Sequence, residues 1–388
     1  DDAAIAAAAD EAGPVPVGAA PSRPGAGIDD EVLAAYREAV LGLIDPYGPR
    51  GLRVVYTPLH GVGGAVLPGL LGAAGFDAPV VVAEQADPDP DFPTVAFPNP
   101  EEVGALDLAL AAARRAGADV VLANDPDADR LAVAVPDRDG RWRVLTGDEL
   151  GILLAARRLE VTSGPGRLVA TTVVSSTMLS KLAAEVGVAY EETLTGFKWI
   201  ARAARRRPGH RLVFGYEEAL GFAIDEIVAD KDGLSAALVT ADLAAQARAE
   251  GQSLLDRLDA LSARLGVHAT AQWSRRAEGP GGIEELARVV AAWRRDPPTQ
   301  LGGLAVTEVV DLSVSAGGLP PTDALVLRLG ARGRVVLRPS GTEPKLKAYL
   351  EATTDPPGLD GLDRAKREAG ARLDTLRADV AARCRAAD

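Results

Sequence analysis

Asp125, Asp127 and Asp129 stand at alternate positions in the run Asp119-Val-Val-Leu-Ala-Asn-Asp-Pro-Asp-Ala-Asp-Arg-Leu-Ala-Val-Ala-Val135. An apolar segment of buried-strand type precedes them and another follows. A loop with this spacing can turn three side chains onto one point, where the carboxylates repel one another unless positive charge sits between them. A hard divalent cation with oxygen ligands, magnesium above all, meets that demand. Arg130 follows directly and can take a phosphate oxygen on the open side of the cation. A calcium EF-hand also begins Asp-x-Asp-x-Asp, but it needs Gly at position six and Glu at position twelve. Those places hold Arg130 and Pro136, so that reading fails. A phosphatase with an Asp nucleophile stays open at this point.

Three further segments carry candidate chemistry. In Arg338-Pro-Ser-Gly-Thr-Glu-Pro-Lys-Leu-Lys347, Gly341 allows a tight turn. Backbone amides, the hydroxyls of Ser340 and Thr342, and the Arg338 fork can then converge on an oxyanion. Walker spacing is absent, so this phosphate cradle is of another kind. The other two are Thr193-Leu-Thr-Gly-Phe-Lys-Trp-Ile200 and Phe214-Gly-Tyr-Glu-Glu-Ala-Leu-Gly-Phe222, the latter followed by Asp230-Lys-Asp-Gly233. Paired acids beside glycines suit sugar hydroxyls. Lysine usage points to the same places: of six lysines against thirty-six arginines, Lys198, Lys231, Lys345 and Lys347 fall in these motifs. Lysine is a compact charge with a tunable pKa, which arginine is not.

The elements that must position these loops read as follows. Residues 11–27 are rich in Pro, Gly and Ala and form a linker, after which Asp29 or Asp30 caps a helix. Strands alternate with helices from Leu52 to about Leu159, and again from Arg167 to Ala249, which implies βαβ units. Beyond residue 301 strands follow one another without helices until a closing helix at about 358–384. The fold class is therefore α/β: two βα sandwich domains with mixed, mainly parallel sheets, plus a C-terminal α+β domain with an antiparallel sheet. The expected boundaries are 1–27, 28–161, 162–295 and 296–388. The charged segment 276–301, punctuated by Gly and Pro, reads as a linker about which the last domain rotates.

Composition bounds the function. A chain of 388 residues with 47% hydrophobic and 25% charged content is globular, and its net charge of -13 argues against nucleic acid or an anionic membrane as partner. Its one cysteine, Cys384, excludes internal disulfides and suits a reducing cytoplasm. No apolar run of transmembrane length occurs, and the start lacks the basic residues of a secretion signal.

The four motifs, in this order, resemble the α-D-phosphohexomutase superfamily of phosphoglucomutases and phosphomannomutases. Gly-Phe-Lys-Trp-Ile and Tyr-Glu-Glu-Ala-Leu-Gly are most similar to the phosphoglucomutase-2 and phosphopentomutase branch, as are Thr57-Pro-Leu-His-Gly-Val-Gly and Leu145-Thr-Gly-Asp-Glu. The likeness covers about residues 28–388. It disposes of the phosphatase, which needs none of the later loops. The resemblance implies a phosphoserine enzyme that moves a phosphoryl group between the 1- and 6- (or 5-) positions of a sugar through a bisphosphate such as glucose 1,6-bisphosphate. Asp125, Asp127 and Asp129 would bind Mg²⁺. Thr195, Gly196, Phe197, Lys198 and Glu217 would bind the sugar. Arg338, Ser340, Gly341 and Thr342 would hold the non-reacting phosphate, and Lys231 and Arg130 are the catalytic candidates. Ala219 departs from relatives with Ser there. His60, in a glycine turn, is expected to shape its loop.

The family's reactive serine lies in a Ser-His-Asn-Pro setting, and none of the three histidines here has one. The resemblance implies that residues 1–27 are the tail of a missing N-terminal domain and a linker. The expected function is thus that of a phosphohexomutase without its phosphoserine domain, inactive alone. A non-catalytic module binding Mg²⁺ and sugar phosphate is the alternative.

Overall fold

A computed structural model describes residues 2–12, 30–277, 281–314, 320–339 and 344–386. Helices α1 (Asp2–Ala12) and α2 (Asp30–Leu41) come first. The first sheet follows, in the order β2-β1-β3-β4-β5. Its strands are β1 (Val54–Thr57), β2 (Val80–Val81), β3 (Val120–Asn124), β4 (Leu131–Pro136) and β5 (Trp142–Val144), with α3 (Val66–Ala73) and α4 (Asp107–Ala116) between them. β1 runs parallel to β2 and β3, whereas β4 and β5 continue the sheet antiparallel. β3 is buried along its whole length, as a Val-Val-Leu-Ala-Asn strand in a covered sheet must be. It therefore delivers the Asp loop at its carboxyl end, where open α/β sheets bind ligands.

Helix α5 (Gly147–Val161) opens the second unit. Thr146 caps it by a reciprocal box with Glu149. The second sheet has the order β7-β6-β8-β9. It consists of β6 (Arg167–Thr172), β7 (Ala189–Thr193), β8 (Arg211–Glu217) and β9 (Gly221–Ile224), with α6 (Met178–Val186) and α7 (Phe197–Ala201) as connections. β6 is parallel to β7 and β8, and β9 turns back antiparallel on β8. Helices α8 (Gly233–Ala249) and α9 (Leu254–Leu265) complete it, α8 capped by the Asp232 side chain.

The last sheet is wholly antiparallel, in the order β10-β16-β15-β14-β13. It comprises β10 (His268–Arg276), β13 (Glu308–Asp311), β14 (Leu325–Arg328), β15 (Gly333–Pro339) and β16 (Lys345–Thr353). Helix α10 (Gly282–Arg295), the hairpin of β11 (Gln300–Leu301) and β12 (Leu304–Ala305), and the closing helix α11 (Gly358–Ala386) accompany it. The three sheets give the α/β-plus-α+β class expected from the sequence.

Two expectations need correction. Strand β10 pairs with β16 along its full length, so the C-terminal sheet starts well before residue 296. The segment expected as a rotating linker contains α10, which buries Leu286, Val289, Val290 and Trp293 against Leu325, Val335 and Leu350. An amphipathic helix anchored by a buried tryptophan is part of a core, not a hinge. The strands alternate: Leu325 and Leu327 face that core, whereas Val326, Val336 and Tyr349 face the other way and pack on Val173 and Val174 of the second unit. Both faces of the last sheet are thus covered.

Candidate active site

The Asp loop is held from three sides. Gly61 and Gly63 lie so close beneath it that a Cβ on Gly61 would sit 2.2 Å from Pro126 Cα, and one on Gly63 2.4 Å from the Tyr56 hydroxyl. The Val62 amide donates to the Pro126 carbonyl at 2.9 Å. Tyr56 donates its hydroxyl to Asn124 Oδ1 (3.0 Å), and Asn124 Nδ2 donates to the Arg130 carbonyl (2.7 Å), which closes the loop's base. Ala128 adopts φ 59°, a left-handed conformation that the surrounding bonds must impose. One such bond comes from the second unit, where the Gly233 amide donates to the Ala128 carbonyl at 3.1 Å. His60, buried, meets Thr94 Oγ1 at 2.8 Å through Nε2, which ties its turn to the segment 86–100. Gly61→Ala is accordingly expected to displace the Asp loop and to cost about 1–3 kcal/mol, the range for overpacking. Urea unfolding monitors the stability and Mn²⁺ titration monitors the loop.

The three carboxylates differ in state. Asp125 is buried and accepts from the Arg130 amide (2.9 Å) and Nε (2.8 Å). Asp129 pairs with Lys231 Nζ at 2.8 Å. Burial pushes the Asp129 carboxyl up, and the nearby Asp125 carboxylate adds to this, with Lys231 opposing. Asp127 is exposed and engages no partner among the described residues. Positive side chains thus occupy the places next to Asp125 and Asp129. No ready-made cluster of three or more His, Cys, Asp or Glu side chains able to hold a metal occurs among the described residues. The donor chemistry nevertheless fits a hard cation: all three are oxygen ligands on one loop, two are close enough to repel, and one is uncommitted.

Lys231 carries the site onward. It reaches Asp129 from a loop that precedes α8, and its charge, with that of Arg338, acts on Glu217. Glu217 ends β8 and accepts the Gly196 amide at 2.7 Å. Burial raises the Glu217 carboxyl, while that amide, Lys231 and Arg338 pull it down. Burial raises the Tyr349 hydroxyl, and the charge of Arg338, near the end of β15, lowers it. Segments far apart in sequence therefore share one electrostatic field: Asp129, Lys231, Glu217 and Arg338.

The remaining candidates divide. Gly196 is exposed with φ 104°, which a side chain would resist, and Thr195 is half-buried beside it. Lys198 is exposed, with Nζ 5.9 Å from the Trp199 ring centre. Phe197 does not face the cleft: it is buried with Leu168, Ile200 and Leu212 and anchors the loop from below. Ser340, Gly341 and Thr342 lie outside the described residues. Asn99, which the sequence reading missed, accepts from Arg130 Nη1 at 3.1 Å and orients the guanidinium. Its Pro-rich setting gives no local signal of that contact.

Comparison with known proteins adds the decisive observation. Models of the phosphoglucomutase/phosphomannomutase family match as alpha/beta/alpha domain II over residues 34–140, alpha/beta/alpha domain III over 146–264 and the C-terminal domain over 275–368. The chain belongs to this family, within the α-D-phosphohexomutase superfamily. It is 41% identical over 335 residues to a probable phosphomannomutase of Haemophilus influenzae, an alignment covering 86% of this chain and 66% of that protein. It is 36% identical over 341 residues to the human phosphopentomutase, covering 82% of this chain and 56% of that one. The chain thus spans about two thirds or less of these relatives. A crystal structure of a phosphoglucomutase/phosphomannomutase family protein from Burkholderia thailandensis superposes with a TM-score of 0.62 at 22% identity, over 91% of this chain and 64% of that one, and shares the fold. The family's last domain model begins at residue 275, near β10, in keeping with the pairing of that strand.

Proposed function

We propose that the protein works as a phosphohexomutase, an intramolecular phosphotransferase that shifts a phosphoryl group between two positions of a sugar through a sugar bisphosphate. The observation that carries this reading is the Lys231–Asp129 ion pair at 2.8 Å, which brings the Asp loop to the neighbourhood of Glu217, itself held by the Gly196 amide at 2.7 Å and acted on by the charges of Lys231 and Arg338. Phosphoryl transfer asks little covalent chemistry of a protein and much positioning and charge. Glu217, half-buried and held by the Gly196 amide, accepts sugar hydroxyls. Arg338, near the end of β15, offers its fork to the phosphate that does not react. Lys231 stands between the carboxylate loop and Glu217, and despite burial the carboxylates of Asp129, Asp230 and Glu217 hold its ammonium charged, so that it can donate to a sugar or phosphate oxygen there. Arg130, oriented by Asp125 and Asn99, directs positive charge at the transferred group.

Mg²⁺ held by Asp125, Asp127 and Asp129 would neutralise charge on the moving phosphoryl group. The phosphoserine that the reaction needs is not in a Ser-His-Asn-Pro setting within these 388 residues. In this reading these residues supply binding and charge to the transfer. The described residues contain no helix long and apolar enough to cross a membrane, and the single cysteine, buried Cys384, fits a reducing cytoplasm.

Calorimetric titration of glucose 1,6-bisphosphate with Mg²⁺ into the chain tests the proposal. Binding is expected, and Asp127→Asn, Glu217→Gln and Arg338→Ala should each weaken it about tenfold or more, the scale of one charge-assisted bond. Asp127 is a clean probe because it is exposed and makes no described contact that its loss would disturb. Absence of binding by the unmodified chain, or equal binding by all variants, would refute the assignment.

A further inference from the structure

In the turn Ser175–Thr177, which follows β6, Ser175 and Ser176 are buried, at 1% and 3% exposure, and Thr177 is half-buried. It bonds to both sides of the junction between the second unit and the last sheet. From the last sheet, the Arg334 guanidinium donates to the Ser175 carbonyl. Glu351 Oε1 accepts from Ser176 Oγ (2.9 Å) and the Thr177 amide (2.8 Å). From the second unit, Asp148 accepts the Ser176 amide at 2.7 Å.

The Ser175 hydroxyl points elsewhere. It donates to Glu218 Oε2 at 3.0 Å and accepts from the Glu218 amide at 3.2 Å. Thr172 Oγ1 meets Ser175 Oγ at 2.8 Å and donates to the same carboxylate oxygen, Glu218 Oε2, at 3.2 Å. The Glu218 backbone is also wedged by α5, since a Cβ on Gly147 would lie 2.0 Å from its carbonyl oxygen. Glu218 is thus bound at its carboxylate, its amide and its carbonyl side. Its neighbour in the chain is Glu217, the sugar-binding candidate, which starts the same turn from the end of β8. A glutamate clamped this firmly one residue away leaves Glu217 little freedom to choose its place.

We propose that Ser175 is a positioning residue for sugar recognition. Its hydroxyl fixes Glu218, and through it Glu217, while its backbone is tied to Arg334 of the domain that carries the phosphate loop. The seat of that domain and the aim of the sugar-binding carboxylate are thereby joined through one turn. The inference rests on Glu217 contacting sugar, as proposed above.

Ser175→Ala, made in the full 388-residue chain, tests it by calorimetry with glucose 1,6-bisphosphate as probe. The expected result is about tenfold weaker binding, the scale of a lost hydrogen bond to a charged group. In a Glu217→Gln background the same substitution should cost nothing further, because it acts through Glu217. Thr172→Val, isosteric and bonded to the same carboxylate, should weaken binding in the same direction and carries the test if Ser175→Ala fails to fold. A lowered melting temperature with unchanged affinity, or a loss that adds fully to that of Glu217→Gln, overturns the inference and marks the turn as structural. If the unmodified chain binds no bisphosphate, the functional reading itself falls and this inference with it. If the unmodified chain binds and Glu217→Gln weakens binding while Ser175→Ala and Thr172→Val do not, only the positioning role fails.

Discussion

Replacing Arg334 by Leu is expected to cost about 3–5 kcal/mol of stability, the range for removing one partner of a buried ion pair. Arg334, on β15, is 4% exposed and ties the last sheet to the second unit. Nη1 meets Glu192 Oε2 on the edge strand β7 at 3.1 Å, and Nη2 lies 3.6 Å from Glu351 Oε2. It also donates to the Ser175 carbonyl. Without it, among the described residues the buried Glu351 keeps hydrogen bonds from His268 Nδ1, at 2.9 Å, and from the hydroxyl and amide donors of the Ser176–Thr177 turn. The guanidinium fork serves acceptors that point in different directions, which an ammonium cannot match, so Arg334→Lys should recover only part of the loss. Urea unfolding of the two variants provides the measurement. A loss below about 1 kcal/mol for the Leu variant, the level of an exposed pair, would show that the network is not what joins the units.

Asp148→Asn is expected to raise stability at neutral pH, by about 2–3 kcal/mol at the conversion of 1.4 kcal/mol per pKa unit, and to do so only above about pH 4. Burial pushes the Asp148 carboxyl from its ordinary 3.8 up to about 6, and the facing carboxylates of Glu218 and Glu351 push the same way. Donors from the Ser176 amide and Thr270 oppose them, and the Tyr216 hydroxyl also bonds it at 3.0 Å. A carboxyl with a raised folded pKa binds its proton more tightly in the folded state. The fold is therefore favoured while the group stays protonated and loses stability as pH climbs from about 4 to about 6. Asparagine keeps the Oδ1 acceptor for Ser176 and Tyr216 and removes the titration. Glu351 behaves oppositely. His268 and Arg334 hold its carboxyl down at about 2 despite burial, so its contribution is intact above its ordinary 4.5 and fades as pH falls toward 2. Melting temperatures across pH 3 to 8 should diverge between wild type and the Asn variant only on the alkaline side of the range. Parallel curves would sink the assignment.

What could be read without coordinates was local. The spacing of Asp125, Asp127 and Asp129 after a Val-Val-Leu strand places a polar loop at the end of a covered sheet, because strand burial and chain direction leave it nowhere else. Thr146 with Glu149, and Asp232 before Gly233, announce α5 and α8 because a helix start must satisfy its own amides within a few residues. The strands of 324–338 were legible as short apolar runs, although which side chains face which core was not, since both faces are covered.

The edge strands β7 and β10 escaped. β7 reads Ala-Tyr-Glu-Glu-Thr and β10 reads His-Ala-Thr-Ala-Gln-Trp-Ser-Arg-Arg, and neither shows a clear apolar face. Each lies at the rim of its sheet, where charged and polar side chains are tolerated. Only pairing with β16 assigns β10 to the last domain, and that choice depends on a partner far along the chain. The same limit applies at the site. Residue types named Asp129, Lys231, Glu217 and Arg338 separately, but their shared field, the inward turn of Phe197, and the tie from Arg334 through Ser175 to Glu218 are products of packing between units. Short-range sterics and hydrogen bonding write the first kind of fact into the sequence. The second kind is decided when distant segments exchange water for one another, and no local pattern encodes which segments will meet.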